Sequence, residues 1–170
     1  NNMANAMKDK GDLEEAIESY KQALRIKPDY AEVHNNMGSV MKDKGDLEQA
    51  IQSYKQALRI KPDYAAAYNN LGIALKDKGD LNEAIDSFKQ AIRIKPDYAA
   101  AYYNMGVTLK DKGDLNEAID CYKQTIQIRP DYADAYNNLG NVFKGKGDLN
   151  EAIDYYKQAI RIRPDYAAAY

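Results

Sequence analysis

Acid–base or nucleophilic chemistry would have to start from His34 and Cys121, because the 170-residue chain has one histidine and one cysteine. Such chemistry needs a few unlike groups gathered once in a pocket. His34 stands where equivalent segments have tyrosine, and Cys121 where they have Ser19, Ser53 and Ser87. They read as a packed helix residue and an inert small one. What recurs instead is an amide. Asn2, Asn36, Asn70, Asn104 and Asn138 follow one another at intervals of 34 residues. A primary amide carries one acceptor and two donors, which match the C=O and N–H of an extended peptide. That chemistry is recognition, not turnover.

The elements that must carry these amides are written in the same period. Five "PDY" triplets close at Tyr30, Tyr64, Tyr98, Tyr132 and Tyr166, again 34 apart. A fixed period of this size means stacked supersecondary units. Residues 31–64, 65–98, 99–132 and 133–166 are full copies, 1–30 an incomplete one, and 167–170 the start of a sixth. Within a copy, Tyr68, Leu71, Gly72 and Leu75 form an apolar stripe of helical period. Gly79 is placed to end that helix, and Asp80 to start the next as N-cap with Glu83 as its capping-box partner. Leu81, Ala84, Ile85, Phe88, Ala91 and Ile92 face one side of the second helix. Pro96 stops it, and Asp97 is expected to cap the helix that follows. The "DKGDLNEAID" segment departs from calcium-loop spacing, so capping is its reading and no metal is expected. No strand is proposed.

Composition narrows the partners. Lys+Arg number 24 against 26 Asp+Glu, and a net charge of −2 gives no electrostatic case for nucleic acid or an anionic membrane. No apolar run approaches the roughly 18 residues of a membrane span. A lone cysteine fits a reducing compartment, and the expected location is cytoplasmic.

The run Tyr68-x2-Leu71-Gly72-x2-Leu75, then Ala84-x3-Phe88, then Pro96, resembles the tetratricopeptide repeat. The resemblance covers all 170 residues. It implies an all-α solenoid, a right-handed superhelix of five tandem helix-turn-helix units forming one array over 1–170, which is not an enzyme and uses no cofactor.

Numbering each copy so that Ala65 is first, the stripe at positions four, seven, eight and eleven points one way on the helix. Positions two, five, six, nine, twelve and thirteen point roughly the other, so the asparagines at five and six are expected outside the core. In the tetratricopeptide fold that face lines a concave groove. The position-six row resembles the asparagine ladder of O-linked N-acetylglucosamine transferases. That resemblance implies backbone contacts from Asn36, Asn70, Asn104 and Asn138, and from Asn2 in the incomplete copy. First helices on the order of 10 Å apart would let such a column address roughly every third residue of an extended peptide. The alternative is that the amides only pair with neighbouring repeats or solvent.

Asn69, Ile73, Tyr103 and Val107 join the candidate peptide contacts, the last three as apolar area on a polar face. Lys76 and Lys110 join them too, although alternating charge is also what a solvated surface looks like. The expected partner is a protein or peptide in extended conformation. Rival readings are the substrate-recruiting part of a glycosyltransferase and a self-assembling scaffold. For the latter, Tyr155, Ala159 and Ile162 at one end and Met3, Ala6 and Met7 at the other are expected to be uncovered and to meet head to tail.

Overall fold

The computed structural model describes residues 12–164, and among them every regular element is an α-helix. In chain order they are α1 Leu13–Ile26, α2 Ala31–Asp43, α3 Leu47–Ile60, α4 Ala65–Lys78, α5 Leu81–Ile94, α6 Ala99–Lys112, α7 Leu115–Ile128, α8 Ala133–Lys146 and α9 Leu149–Ile162. The result is an all-α repeat fold of solenoid type. Two compact units divide it, residues 1–94 with α1–α5 and residues 95–170 with α6–α9. None of the described helices is long and apolar enough to cross a membrane.

Local chemistry sets the helix ends. Gly79 ends α4 at φ 96°, a left-handed conformation that glycine takes without a Cβ penalty. Its N–H reaches the Lys76 carbonyl at 2.9 Å and the Asp80 N–H that of Leu75 at 2.9 Å, so two otherwise orphaned carbonyls are satisfied. At the next helix start the expected cap is made by Asp46, whose carboxylate accepts from Gln49 N–H at 3.1 Å and from Gln49 Nε2 at 2.6 Å. Asp114 and Asp148 hold the same place without a side-chain cap bond. The Asp114 carboxylate is drawn instead to Lys112 at 2.9 Å, and that of Asp80 pairs with Lys78 at 3.2 Å.

The expected cap at Asp97 is corrected. Helix α6 begins at Ala99 with Tyr98 at its N-cap, so the Asp97 carboxylate sits one residue too early to reach the first turn. Asp97 contributes its backbone carbonyl, which accepts from Ala99 N–H at 3.1 Å. Among the described residues, the tyrosine rings that close the first four copies lie under a preceding cation. Lys27, Lys61 and Lys95 stand 5.0, 5.0 and 5.3 Å from the Tyr30, Tyr64 and Tyr98 centroids, and Arg129 stands 4.1 Å from that of Tyr132.

Within each of the four full copies the two helices close on the glycine at position eight. A Cβ on Gly72 would stand 2.6 Å from Phe88 Cε1, which leaves hydrogen as the only side chain that fits. In the first unit α4 packs on α5, α3 and α2; in the second, α8 packs on α9, α7 and α6. A first helix with neighbours on several sides buries a wider arc than one stripe. Ala67 and Ala74 are as fully buried as the Leu71 and Leu75 row, and so is Asn69 at 5 % exposure. The placement of position five outside the core is therefore wrong, and Asn35 and Asn137 are buried in the same way.

The uncovered flank of α9 also differs from expectation. Ala159 is fully buried and the Tyr155 ring stacks on Phe143 at 5.4 Å. The exposed side chains are Leu149 and Ile153, at 59 % and 49 %. Met3, Ala6 and Met7 lie outside the described residues.

Candidate functional site

The repeated amides sit on the first helix of each pair. Asn36 on α2, Asn70 on α4, Asn104 on α6 and Asn138 on α8 are all half-exposed, while Asn2 lies outside the described residues. Two of them are held by the preceding copy. Asn70 Nδ2 donates to Asn35 Oδ1 at 3.0 Å, and Asn138 Nδ2 donates to the Tyr103 hydroxyl at 3.0 Å. Both links span 35 residues, one period plus one. The "NN" dipeptide thus divides two tasks. In these two links position five accepts, at the buried Asn35 and at the half-buried Tyr103, and position six donates backwards from a half-exposed place, whereas the buried Asn137 Oδ1 has no hydrogen-bond partner. An amide that spends one N–H in this way keeps a second N–H and its carbonyl oxygen. The bond also restrains the amide plane, so those remaining groups are held in one orientation.

Lys76 and Lys110 are half-exposed, with their ammonium groups 3.1 and 3.6 Å from the carboxylates of Asp77 and Asp111. Lys42 and Asp43 repeat the arrangement at 3.3 Å. Exposed pairs of this kind contribute about 0–1 kcal/mol and exchange readily with water.

Ile73 and Val107 are half-buried at position nine. That position faces the ring at position twenty-four of the same copy. Tyr54 donates its hydroxyl to Ser39 Oγ at 3.2 Å, and Tyr156 donates to Asn141 Oδ1 at 2.8 Å. Where position nine is Ile73, position twenty-four is Phe88 and nothing needs a partner. In the remaining full copy the pairing fails. Val107 has no acceptor, and the fully buried Tyr122 hydroxyl has no hydrogen-bond partner. Burial pushes Tyr54 up to about 12, eased by the Ser39 hydrogen bond and raised by the Asp43 charge. Tyr122 is pushed up as well, first by burial and then by the charges of Tyr103, Asp111 and Cys121.

Tyr103 replaces the position-five asparagine and brings a ring to the same place. Its ring stacks on Tyr132 at 4.9 Å and 25°, and tilts against Tyr122 at 6.0 Å. Burial is the main cause that raises its hydroxyl pKa, and the Asn138 hydrogen bond lowers it.

The two residues first considered for catalysis are occupied otherwise. His34 Nε2 donates to the Pro28 carbonyl at 3.0 Å, closing the turn before α2. Cys121 is buried, with its Cβ beside Gly106. Among the described residues no three His, Cys, Asp or Glu side chains gather in a way that could hold a metal ion. Sequence reasoning offered pairing with neighbouring repeats only as the alternative to peptide contact, without its five-to-six register, and missed the nine-to-twenty-four pairing. The signals were present: a separation of one period plus one, and polar or apolar character changing together at two positions of a copy.

Family models for "Tetratricopeptide repeat" and "TPR repeat" match residues 97–165 and residues 4–45, 38–79 and 74–113. No curated protein matches the chain by sequence. Among solved structures, MamA is 33 % identical, with a TM-score of 0.87 and 96 % of each chain covered. YrrB, described as a TPR protein with an unusual peptide-binding site, is 26 % identical, with a TM-score of 0.79, 99 % of this chain covered and 87 % of its own. PilF of Pseudomonas aeruginosa shares the fold at 18 % identity and a TM-score of 0.90, over 99 % of this chain and 77 % of its own.

Proposed function

Because the chain belongs to the tetratricopeptide repeat family, we propose that it is a protein-interaction module that holds an extended peptide along its first helices. The observation that carries this reading is the backward link of Asn70 and Asn138. It consumes one N–H of each amide and orients the rest, which is the preorganisation that weak neutral hydrogen bonds need to contribute to affinity. Asn36 and Asn104 hold the same register in their copies and take the same role; Asn2 is assigned to it by sequence position alone. Asn69 is assigned to the acceptor row beneath them rather than to the peptide. Lys76 and Lys110 would meet the peptide by exchanging their aspartate partners for its carbonyls or carboxylates. That YrrB carries a peptide-binding site supports the choice of ligand class. The likeness to the O-linked N-acetylglucosamine transferase ladder remains part of this proposal.

Titration of fluorescent peptides, first selected from a random library, tests it. Asn70→Ala with Asn138→Ala should weaken binding by about fivefold per amide, since a neutral hydrogen bond is worth on the order of 1 kcal/mol. Melting should also fall by about 1 kcal/mol per site, because each change removes a link between copies. A stability loss with unchanged peptide affinity would reduce the amides to struts.

A further inference from the structure

Tyr103 and Val107 are departures from the chain's own pattern that the hydrogen bonding of the fold does not require. The link to the following copy needs only an acceptor, which Asn35 supplies to Asn70. A phenol ring is not required for it. At position nine, Ser39 and Asn141 each satisfy the tyrosine hydroxyl of their copy, whereas Val107 leaves the Tyr122 hydroxyl buried without a partner. Leaving a buried donor unpaired is costly, so nothing in the helix pair favours valine over serine there. Both departures fall in one copy, four residues apart on α6, and both add apolar area beside Asn104. The Tyr103 ring is held rigid by its stack on Tyr132 and by the bond from Asn138.

We propose that Tyr103 and Val107 form a side-chain-selecting contact of the second unit, which takes an apolar side chain of the peptide whose backbone Asn104 and Asn138 hold. The proposal rests on the peptide reading above. A rigid ring already fixed by neighbours loses little freedom on binding, which is what makes aromatic residues effective anchors. The Asn104 and Asn138 amides, one period apart, would set the register, and a side chain between them would fall to Tyr103 and Val107. The first unit carries asparagine at all three position-five places, Asn1, Asn35 and Asn69, and would read backbone with less demand on side chains.

The test is a random-peptide selection on the whole chain, followed by affinities of the best peptide and of its version with the selected apolar residue replaced by alanine. The parent should enrich an apolar residue at a fixed position and prefer it over alanine by about tenfold. Tyr103→Asn with Val107→Ser, both taken from other copies of this chain, should bring that ratio close to one with helicity retained. Tyr103→Asn alone serves should the pair not fold, and should lower the ratio severalfold. Peptides captured without a fixed apolar position, or a ratio unchanged by the substitutions, overturn this proposal and leave the peptide reading standing. Capture of no peptide by the parent overturns both.

Discussion

At the scale of single residues, hydroxyl partners decide between near-identical copies. Tyr54 and Tyr122 are both buried against a first helix, yet one has Ser39 and the other has none. Tyr122→Phe should therefore stabilise the protein by about 1 kcal/mol, since it removes an unsatisfied donor and Phe88 already fills the same place. Tyr54→Phe should cost about 0.5–1 kcal/mol, because it leaves Ser39 without its donor. Urea melts of the two variants check this, and equal effects of one sign would refute the assignment. The same burial makes the fold sensitive to alkali. A tyrosine whose folded pKa is raised above its ordinary value contributes stability that is complete below that ordinary value. The contribution is lost as pH rises from there through the folded pKa, because only the unfolded chain can ionise. For Tyr54, raised to about 12, the window runs from pH 10 to 12. Each unit in it weakens the fold by about 1.4 kcal/mol per buried phenol. Melting temperatures should fall across that window as phenolate absorbance rises, and Tyr54→Phe should flatten the decline.

At the scale of the element, the sequence announced the helices and where they stop, because glycine and proline act locally. Gly79 takes its left-handed turn as its type and place predict, and Pro96 follows the end of α5. It was less informative about which side of a helix is covered. A period of 3.6 identifies one stripe, but α4 meets α2 and α3 as well as α5, so Ala67, Asn69 and Ala74 are buried outside that stripe. That coverage comes from neighbouring copies, and no window within one helix contains it. The side-chain cap made at Asp46 does not recur at Asp114 for the same kind of reason, since Lys112 competes for its carboxylate. Of the candidate site, the amide row was legible as a register, whereas its division into acceptors and donors needed the distance between copies. The helix crossing itself gives a sharp contrast between two glycines. Gly72→Ala should cost about 1–3 kcal/mol, because its Cβ would meet Phe88 at 2.6 Å. Gly145→Ala, within α8 and with nothing within 4 Å of the new Cβ, should stabilise by about 0.5–1 kcal/mol. Thermal melts of the pair decide it, and Phe88→Leu should rescue Gly72→Ala but not the parent.

At the scale of the whole molecule, contact is local along the chain. In the two units the helices in contact are neighbours in sequence or next but one, as in α2 with α4 and α6 with α8. A protein built this way has stability close to a sum of copies and of the interfaces between consecutive copies. Removing residues 133–166 tests that sum. The deletion takes away α8 and α9 and uncovers Ile119, which is 7 % exposed in the intact chain. The shortened chain should keep its helicity per residue, since α6 and α7 still close on Gly106 and Tyr122. Its denaturant midpoint should fall, and its dependence on denaturant should shrink in proportion to the surface no longer buried. Deleting residues 65–98 instead, which leaves the same number of copies, should give nearly the same midpoint. A large difference between the two deletions, or complete unfolding by either one, would mean that stability is concentrated in one copy rather than distributed along the repeat.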